Sequence, residues 1–567
     1  MNIEDKSWFK HFTASPACDY IRRHPIVYFC AEFAISDAIP IYAGGLGILA
    51  GDIIREAAEQ EVPLITVGLY YHEGYLHHDL YSNGILMKGA QRTDPTTIGL
   101  SPVVDADNKR VIITVPVQSA SVYVQAWTLQ IEGVKSYLLD TNLEQNTEED
   151  RHITDYLYAS SKETRFKQEI VLGLGGLRFL EALHITPIAY HLNEGHSALL
   201  ALEIARYEMK KNSSMFATEL AAIKQHIIFT NHTLIPGGND VYSVDLVSSL
   251  LSGFAKELQV PVTDIINLGV IAKSDIFSMT HLALRLSGKI TAVSKLHAEK
   301  AKEIWEEYPM TPITNGIHIK TWDKSESGDL WENHQKNKRL LLTNIRNVTG
   351  TQWDENTLLL GWGRRIVEYK RPLALFKNLL RFKNLATSQE RPLRVVISGL
   401  SHASDAEGLT ILEKIQEIVT SDLKDIVIYL PDYRMENSKL LTSGCDVWLN
   451  TPIVGFEACG TSGMKAALNG VLPCSTGDGW VAEAELYKVG WLLQDTHVSE
   501  DVISVLEQKI IPLYYNKDAN QIPGKWVEMM YNAREMAINQ FGATKMLRKY
   551  FEELYLPIIS THESGLS

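Results

Sequence analysis

25-PIVYFC-30 and 63-PLITVGLYY-71 are two short apolar runs, and between them a helical pattern follows the glycine loop 40-PIYAGGLGILAGD-52. Strands spaced by amphipathic helices are the units of a parallel sheet. The alternation continues through 226-HIIFT-230, 394-RVVISG-399 and 425-DIVIYL-430, so an α/β fold is expected. One stretch departs from it: 108-NKRVIITVPVQSASVYVQAWTLQIEG-133 reads as consecutive antiparallel strands, an excursion from the main sheet. Two α/β halves are expected. The first runs to about the turn 314-TNGIH-318, the polar stretch 323-DKSESGDLWENHQKNKR-339 reads as linker plus helix, and a fresh strand begins near 358-LLLGWG-363. The last helical segment, 526-WVEMMYNAREMAINQFGATKMLRKYFEELY-555, is expected to pack back on the first half.

At 567 residues the chain has room for about three or four domain-sized units, or for two large α/β domains. The 54 Lys and Arg against 68 Asp and Glu leave a net charge of −14, which argues against a nucleic-acid or anionic-membrane binder. Hydrophobic residues at 45% and charged residues at 22% exclude bulk disorder. Five cysteines, Cys18, Cys30, Cys445, Cys459 and Cys474, form no CxxC pair, so neither a disulfide scaffold nor a zinc ribbon is expected. The opening MNIEDKSWFK has no apolar signal core and no long apolar run follows; a cytoplasmic protein is expected.

Four constellations could carry chemistry. In 40–52, Gly44, Gly45 and Gly47 let the backbone approach a ligand, and free N–H groups at a helix start suit a phosphate. Read as GxGxxA, the loop is a weak dinucleotide signal, because the acid expected about 20 residues on would be Glu59 or Glu61, too close; a plain tight turn is the alternative. In 361-GWGRRIVEYKRP-372, Arg364, Arg365, Lys370 and Arg371 gather beside a glycine-bearing strand end, either a phosphate clamp or a solvated basic face. In 456-FEACGTSGMKAALNG-470, the small residues Gly460, Thr461, Ser462 and Gly463 precede an alanine-rich helix carrying Lys465. Such a loop suits an anion. A buried lysine shifts toward neutrality, which suits imine formation with an aldehyde; a snorkelling surface lysine is the alternative. It is not GxxxxGK[ST], so no Walker loop is expected. Finally, 191-HLNEGHS-197 and 229-FTNHT-233 put Asn, Glu and His after apolar runs, good material for binding hydroxyls at a sheet's C-terminal edge, although such histidines can also be structural. The segment 72-HEGYLHH-78 fails as HExxH because Leu76 stands where the second histidine belongs. No metal site and no GxSxG elbow are expected.

Together these residues resemble one family. 457-EACGTSGMKAALNG-470 is similar to the cofactor-lysine motif of the α-glucan phosphorylases, 364-RRIVEYKR-371 to their substrate-phosphate motif, and 44-GGLGILAGD-52 to their glycine loop. The likeness runs from about residue 25 to about 485, through 165-RFKQE-169, 192-LNEGHSALLALE-203, 229-FTNHT-233, 278-SMTHLALRLS-287, 313-ITNGIH-318 and 433-YR-434, and the length resembles the compact bacterial type. The resemblance implies two Rossmann-like domains facing across a cleft, the GT-B arrangement. Residues 1–325 would form the first, with a C-terminal helix at about 540–567 packing back on it, and 326–540 the second. It implies pyridoxal 5'-phosphate as cofactor, and reversible phosphorolysis of α-1,4-glucans by inorganic phosphate to α-glucose 1-phosphate with retention. Dimers are common in the family, so a homodimer is among the partners it allows. The rival readings are a nucleotide-sugar glycosyltransferase of the same fold, glycogen-synthase-like, and an inactive glucan-binding homologue.

By the same resemblance, Lys465 would hold the cofactor as a Schiff base. Thr461, Ser462 and Gly463, with Gly45 and Arg364, would surround its phosphate, and Tyr433 would pack near it. Arg365 and Lys370 would bind the substrate phosphate, and His232 the glucosyl unit near its reacting end. Glu457 and Gly460 would hold sugar hydroxyls, with His196 and Glu194 in the wall. Three positions depart from the family pattern: Cys459 replaces a frequent Ser at the sugar site, Ala34 an aromatic or Gly, and Leu400 a Lys.

Overall fold

The computed structural model describes residues 8–9, 16–75, 77–81, 84–88, 92–234, 239–326, 328–401, 405–431 and 433–564. Leu76 of the rejected metal motif, residues 402–404 and the opening residues 1–7 lie outside them. The first main sheet holds β1 (Ile26–Phe29), β2 (Leu64–Leu69), β3 (Ser101–Pro102), β4 (Ile113–Val117), β5 (Ala120–Ile131), β6 (Val134–Asp140), β7 (Ala189–Asn193), β8 (Ile227–Asn231), β9 (Lys289–Ala292) and β10 (Thr311–Pro312). Their order is β10-β9-β8-β7-β1-β2-β6-β5-β3, with β4 beside β5. Neighbours from β10 to β6 run parallel, while β5 pairs antiparallel with β6, β4 and β3. The antiparallel excursion read in 108–133 is therefore real, and β4 and β5 are its strands.

The second sheet is parallel throughout: β11 (Leu358–Gly363), β12 (Leu393–Ser398), β13 (Val427–Leu430), β14 (Val447–Asn450), β15 (Leu472–Thr476) and β16 (Trp491–Leu493), in the order β13-β12-β11-β14-β15-β16. Counted within this sheet the order is 3-2-1-4-5-6, the doubly wound arrangement. Central strands are buried along their length, as in β1 and β11, which is why they read as unbroken apolar runs. Strand order reverses once in each sheet, between β1 and β7 and between β11 and β14. Connections leave such a point toward opposite faces and open a crevice at the strands' carboxyl ends.

Each sheet has its own core, and the C-terminal segment serves both. Gly524–Phe541 is helical and packs Trp526, Met530 and Ala537 into the second core. At Gly542 the backbone turns extended, and beyond it Met546, Tyr550, Phe551 and Tyr555 enter the first core. The sequence-based expectation that all of 526–555 packs on the first half is thus corrected: only the part after Gly542 does. The junction is pinned by backbone bonds from Ile317 N–H to the Phe541 carbonyl at 2.9 Å and from Ala543 N–H to the Ile317 carbonyl at 2.7 Å. Among the described residues no helix is long and apolar enough to cross a membrane.

A fully buried polar knot locks the second sheet. Asp446 accepts from Lys338 Nζ at 2.6 Å, from the Leu359 N–H at 2.7 Å and from His334 Nε2 at 2.9 Å. Lys338 also donates to the Thr357 carbonyl and Tyr514 hydroxyl, at 2.7 and 2.9 Å. Asp446→Ala strands the Lys338 ammonium without its counter-ion, which is expected to destabilise the protein by about 3–5 kcal/mol. A chemical-denaturation midpoint equal to that of the parent would contradict this.

Candidate active site

β11 ends at Gly363 and delivers Arg364 and Arg365 to the crevice of the second sheet. A Cβ at Gly363 would fall 2.7 Å from the Tyr433 ring, so only glycine lets Tyr433 pack against the strand end. Arg364 is buried. Its Nη1 donates to Glu457 Oε2 and its Nη2 to Ser462 Oγ, both at 3.0 Å. Trp448 Nε1 reaches the same Ser462 hydroxyl at 3.3 Å. Lys370 Nζ stands 3.3 Å from Glu457 Oε2, so one carboxylate bridges two cations. Burial alone would raise the Glu457 carboxyl, but Lys370 and Arg364 hold it below its ordinary value. Burial pushes the Lys370 amine down to about 8, with Glu457 opposing the fall.

Arg365 remains exposed. Its surroundings disfavour the charge, but Tyr369, Tyr75, Tyr158 and Glu32 outweigh that and keep it above its ordinary value. Of these, Glu32 follows β1 and holds the glycine loop, its Oε2 accepting the N–H groups of Ala43 and Gly44 at 2.6 and 3.1 Å. Arg371, grouped with the clamp on sequence grounds, has another task. Its guanidinium donates to the carbonyls of Thr451, Pro452 and Asp495 at 2.7, 2.6 and 2.9 Å. It therefore fixes loops beneath the site rather than presenting charge to it.

Lys465 lies in the buried helix Ser462–Leu468, along with Gly463, just after Thr461. Its Nζ sits 3.9 Å from the centre of the Trp322 indole. The indole is held by Asp52, whose two oxygens accept from Trp322 Nε1 at 2.9 and 3.0 Å. Burial lowers the Lys465 amine to about 8, against the field of Asp52. Asp52 and Gly45 share the helix Gly45–Gln60, seven positions apart and so on one face. Ala34 is buried against this helix, and its amide donates to the Gly47 carbonyl at 2.8 Å. Leu400 and Tyr433 line one small cavity with Tyr42 and Tyr75. Gly460 turns the loop through a φ of +80°, and buried Cys459 follows Glu457 by two residues, its thiol pushed up by burial.

The crevice of the first sheet carries the histidines. Glu194, fully enclosed, accepts from the His232 N–H through Oε2 at 2.8 Å, and its Oε1 has no partner among the described residues. Burial pushes its carboxyl up to about 8. His232 Nε2 donates to Asn193 Oδ1 at 2.5 Å, and burial holds the imidazole down to about 3, neutral at physiological pH. His196 Nε2 pairs with Asp240 at 3.3 Å, and Arg165 donates to the same carboxylate at 2.8 Å. Arg165 lies 4.3 Å over the Tyr158 ring, and the Tyr158 hydroxyl donates to Glu32 Oε1 at 2.6 Å. A polar chain thus runs from the glycine loop to the histidine wall. Ser294 Oγ, donating to the Ala458 carbonyl at 2.7 Å, joins the first half to the Glu457 loop.

Glu32, Asp52, Asp240 and Trp322 were not among the candidate residues. Asp52 closes the quoted glycine motif, but its partner Trp322 is 270 residues away in the chain. No local pattern could reveal that pairing.

Fold and site together define an α/β enzyme that gathers cations and one buried amine at a sheet crevice. The family model for carbohydrate phosphorylase matches residues 318–490. The chain is 34% identical to maltodextrin phosphorylase of Thermococcus litoralis, over 94% of this chain and 70% of that protein. It is 30% identical to glycogen phosphorylase of Aquifex aeolicus, over 98% and 91% of the two chains. Against glycogen phosphorylase of Mycobacterium tuberculosis it is also 30% identical, over 94% and 71%. The chain belongs to the carbohydrate phosphorylase family.

Because the Lys465 amine ionises near 8, its neutral, nucleophilic form grows as pH rises through that value. Capture of Lys465 by a small aldehyde, fixed with borohydride and counted by peptide mass spectrometry, is expected to show a midpoint near pH 8. A midpoint at the ordinary lysine value of about 10.4 would refute the burial argument.

Proposed function

We propose that this protein is an α-1,4-glucan phosphorylase that transfers glucosyl units from non-reducing ends to inorganic phosphate, giving α-glucose 1-phosphate with retention. The observation that carries the reading is the convergence of Arg364, Lys370, Glu457 and Ser462 at one crevice, with the buried amine of Lys465 on the adjoining helix. The two sheets, with the boundary near residue 325 and the stretch after Gly542 returning to the first, support a GT-B arrangement of two Rossmann-like domains. Cytoplasmic residence belongs to the same reading.

The residues present fit pyridoxal 5'-phosphate. Lys465 offers an amine that burial lowers to about 8, beside the flat face of Trp322. Arg364 Nε is buried with no partner among the described residues. A Cβ at Gly44 or Gly45 would meet nothing within 4 Å, so the backbone at this helix start is open to an anion. Lys465 would hold the group, and Gly45, Arg364, Thr461, Ser462 and Gly463 would receive its phosphate, with Tyr433 alongside. When bound, the cofactor supplies a second phosphate, whose ionisation at about 6 suits proton transfer near neutral pH.

Arg365 and Lys370 bind the substrate phosphate, Arg365 through its forked donors and Lys370 as a compact charge. Neutral His232 offers hydrogen bonding at the reacting end of the sugar without adding charge. Glu194, protonated at neutral pH, can donate to a sugar hydroxyl, and His196 completes the wall. Glu457 takes sugar hydroxyls beside Gly460 and Cys459. The cations also stabilise the oxocarbenium–phosphate pair, a kind of donor whose loss typically costs about 10²–10³ in rate.

The test is phosphate-dependent release of glucose 1-phosphate from maltodextrins of graded length, with and without added pyridoxal phosphate. Release requiring both is expected. Binding of glucan without release would favour an inactive homologue, and transfer from a sugar nucleotide would favour the synthase-like rival. Lys465→Ala should abolish cofactor incorporation; an unchanged cofactor spectrum would refute the assignment. Arg365→Ala should raise the phosphate KM and cut turnover by about 10²-fold or more, and unchanged phosphate kinetics would exclude the clamp.

A further inference from the structure

The loop that carries Glu457 is held from behind by a second acid. β15 ends at Thr476 and leads into a turn at Asp478, which is 1% exposed. Asp478 Oδ2 accepts the N–H groups of Glu457 at 2.8 Å and Phe456 at 3.2 Å. Its Oδ1 accepts the Gly479 N–H at 2.8 Å. Two residues on, the Trp480 N–H donates to the Cys459 carbonyl at 3.1 Å. The turn therefore grips the 456–459 loop at both ends, from a rigid strand. We propose that Asp478 is a positioning residue for sugar binding: its carboxylate sets the backbone of Phe456 and Glu457 so that Glu457 meets the glucosyl hydroxyls. The sugar consequence rests on the phosphorylase reading above; the clamp itself does not.

Chemistry makes the clamp sensitive to pH. An ionised carboxylate accepts strongly through both oxygens, whereas protonation turns one of them into an O–H donor and a weak acceptor; three N–H groups use the two oxygens here. Burial raises this carboxyl to about 6, and the nearby charge of Glu457 adds to the rise, while the Glu457, Gly455 and Gly479 N–H groups oppose it. Ionised Asp478 therefore prevails above that value. As pH falls through it, the proton takes an acceptor position, an amide loses its partner and the loop loosens. Glu457 remains charged in that range, since Lys370 and Arg364 keep its own carboxyl low. Sugar affinity is expected to fall before the sugar-binding carboxylate itself titrates.

Two measurements on the cofactor-loaded protein decide the matter. Amide hydrogen exchange of residues 455–460, corrected for its intrinsic pH dependence, should quicken as pH falls from 7.5 to 5. Asp478→Asn should quicken it already at pH 7.5, by about ten-fold, the size of one hydrogen bond to a charged acceptor, and remove the pH dependence. The same variant should raise the maltodextrin KM about ten-fold and the inorganic phosphate KM by clearly less, since Glu457 meets phosphate only through Lys370, a split that general destabilisation would not produce. Exchange that ignores both pH and substitution overturns the clamp. If exchange responds but the two KM values rise together or not at all, the loop is held by Asp478 without serving sugar. A parent protein that releases no glucose 1-phosphate would sink the phosphorylase reading, while the exchange measurement still decides the clamp on its own. The pH response of the parent protein needs no variant, so a failure of Asp478→Asn to fold leaves the inference open to refutation.

Discussion

Crowded positive charge is the constraint around which this molecule is organised. Arg364, Arg365 and Lys370 come from the segment after β11, and Lys465 from the helix Ser462–Leu468. Two unit charges ~4 Å apart repel by about 4 kcal/mol in a surface-like dielectric. The protein meets this with internal anions at fixed places. Glu457 bridges Arg364 and Lys370. Asp52 acts on Lys465 through space while gripping the indole beneath it. Glu32 bears on Arg365 from the other sheet. Where charge must not accumulate, titration is suppressed instead: Lys370 and Lys465 are drawn toward neutrality, and His232 is kept uncharged.

The two crevices share one plan with different contents. Each lies where the strand order of a doubly wound sheet reverses. The second sheet uses its crevice for cations. The first uses its crevice for acids and imidazoles, Glu194, His196 and His232, and extends the glycine loop from the neighbouring strand β1. Physical continuity comes from the chain Glu32, Tyr158, Arg165, Asp240 and His196, and from the Ser294 bond to the Ala458 carbonyl. The cation crevice and the histidine crevice are thereby built on separate sheets and linked to each other.

Much of this was legible in the chain because it depends on local pattern. Apolar runs such as 25-PIVYFC-30 and 394-RVVISG-399 became buried central strands, and the alternating stretch around 120–131 became the antiparallel excursion. Arg364 and Lys370 were marked by charge beside glycine, while Glu457 entered only through the family resemblance. What escaped depends on contacts between distant segments. Arg371 is as basic as its neighbours, and only the carbonyls of Thr451, Pro452 and Asp495 around it reveal a structural role. The spacing of 526–555 suits an amphipathic helix, but periodicity cannot say which of two cores a face will enter, and the extended turn at Gly542 sends its halves to different ones.

That division has a bearing on how the chain is made. Domains emerging from the ribosome ordinarily condense in order, the amino-terminal one first. Here the earliest sheet lacks Tyr550, Phe551 and Tyr555 until the second sheet has been synthesised. Its apolar floor must wait, exposed or sheltered by a chaperone, while the later sheet is translated. Completion of the first half is thus postponed until the second has been translated, and the two halves mature together rather than in succession.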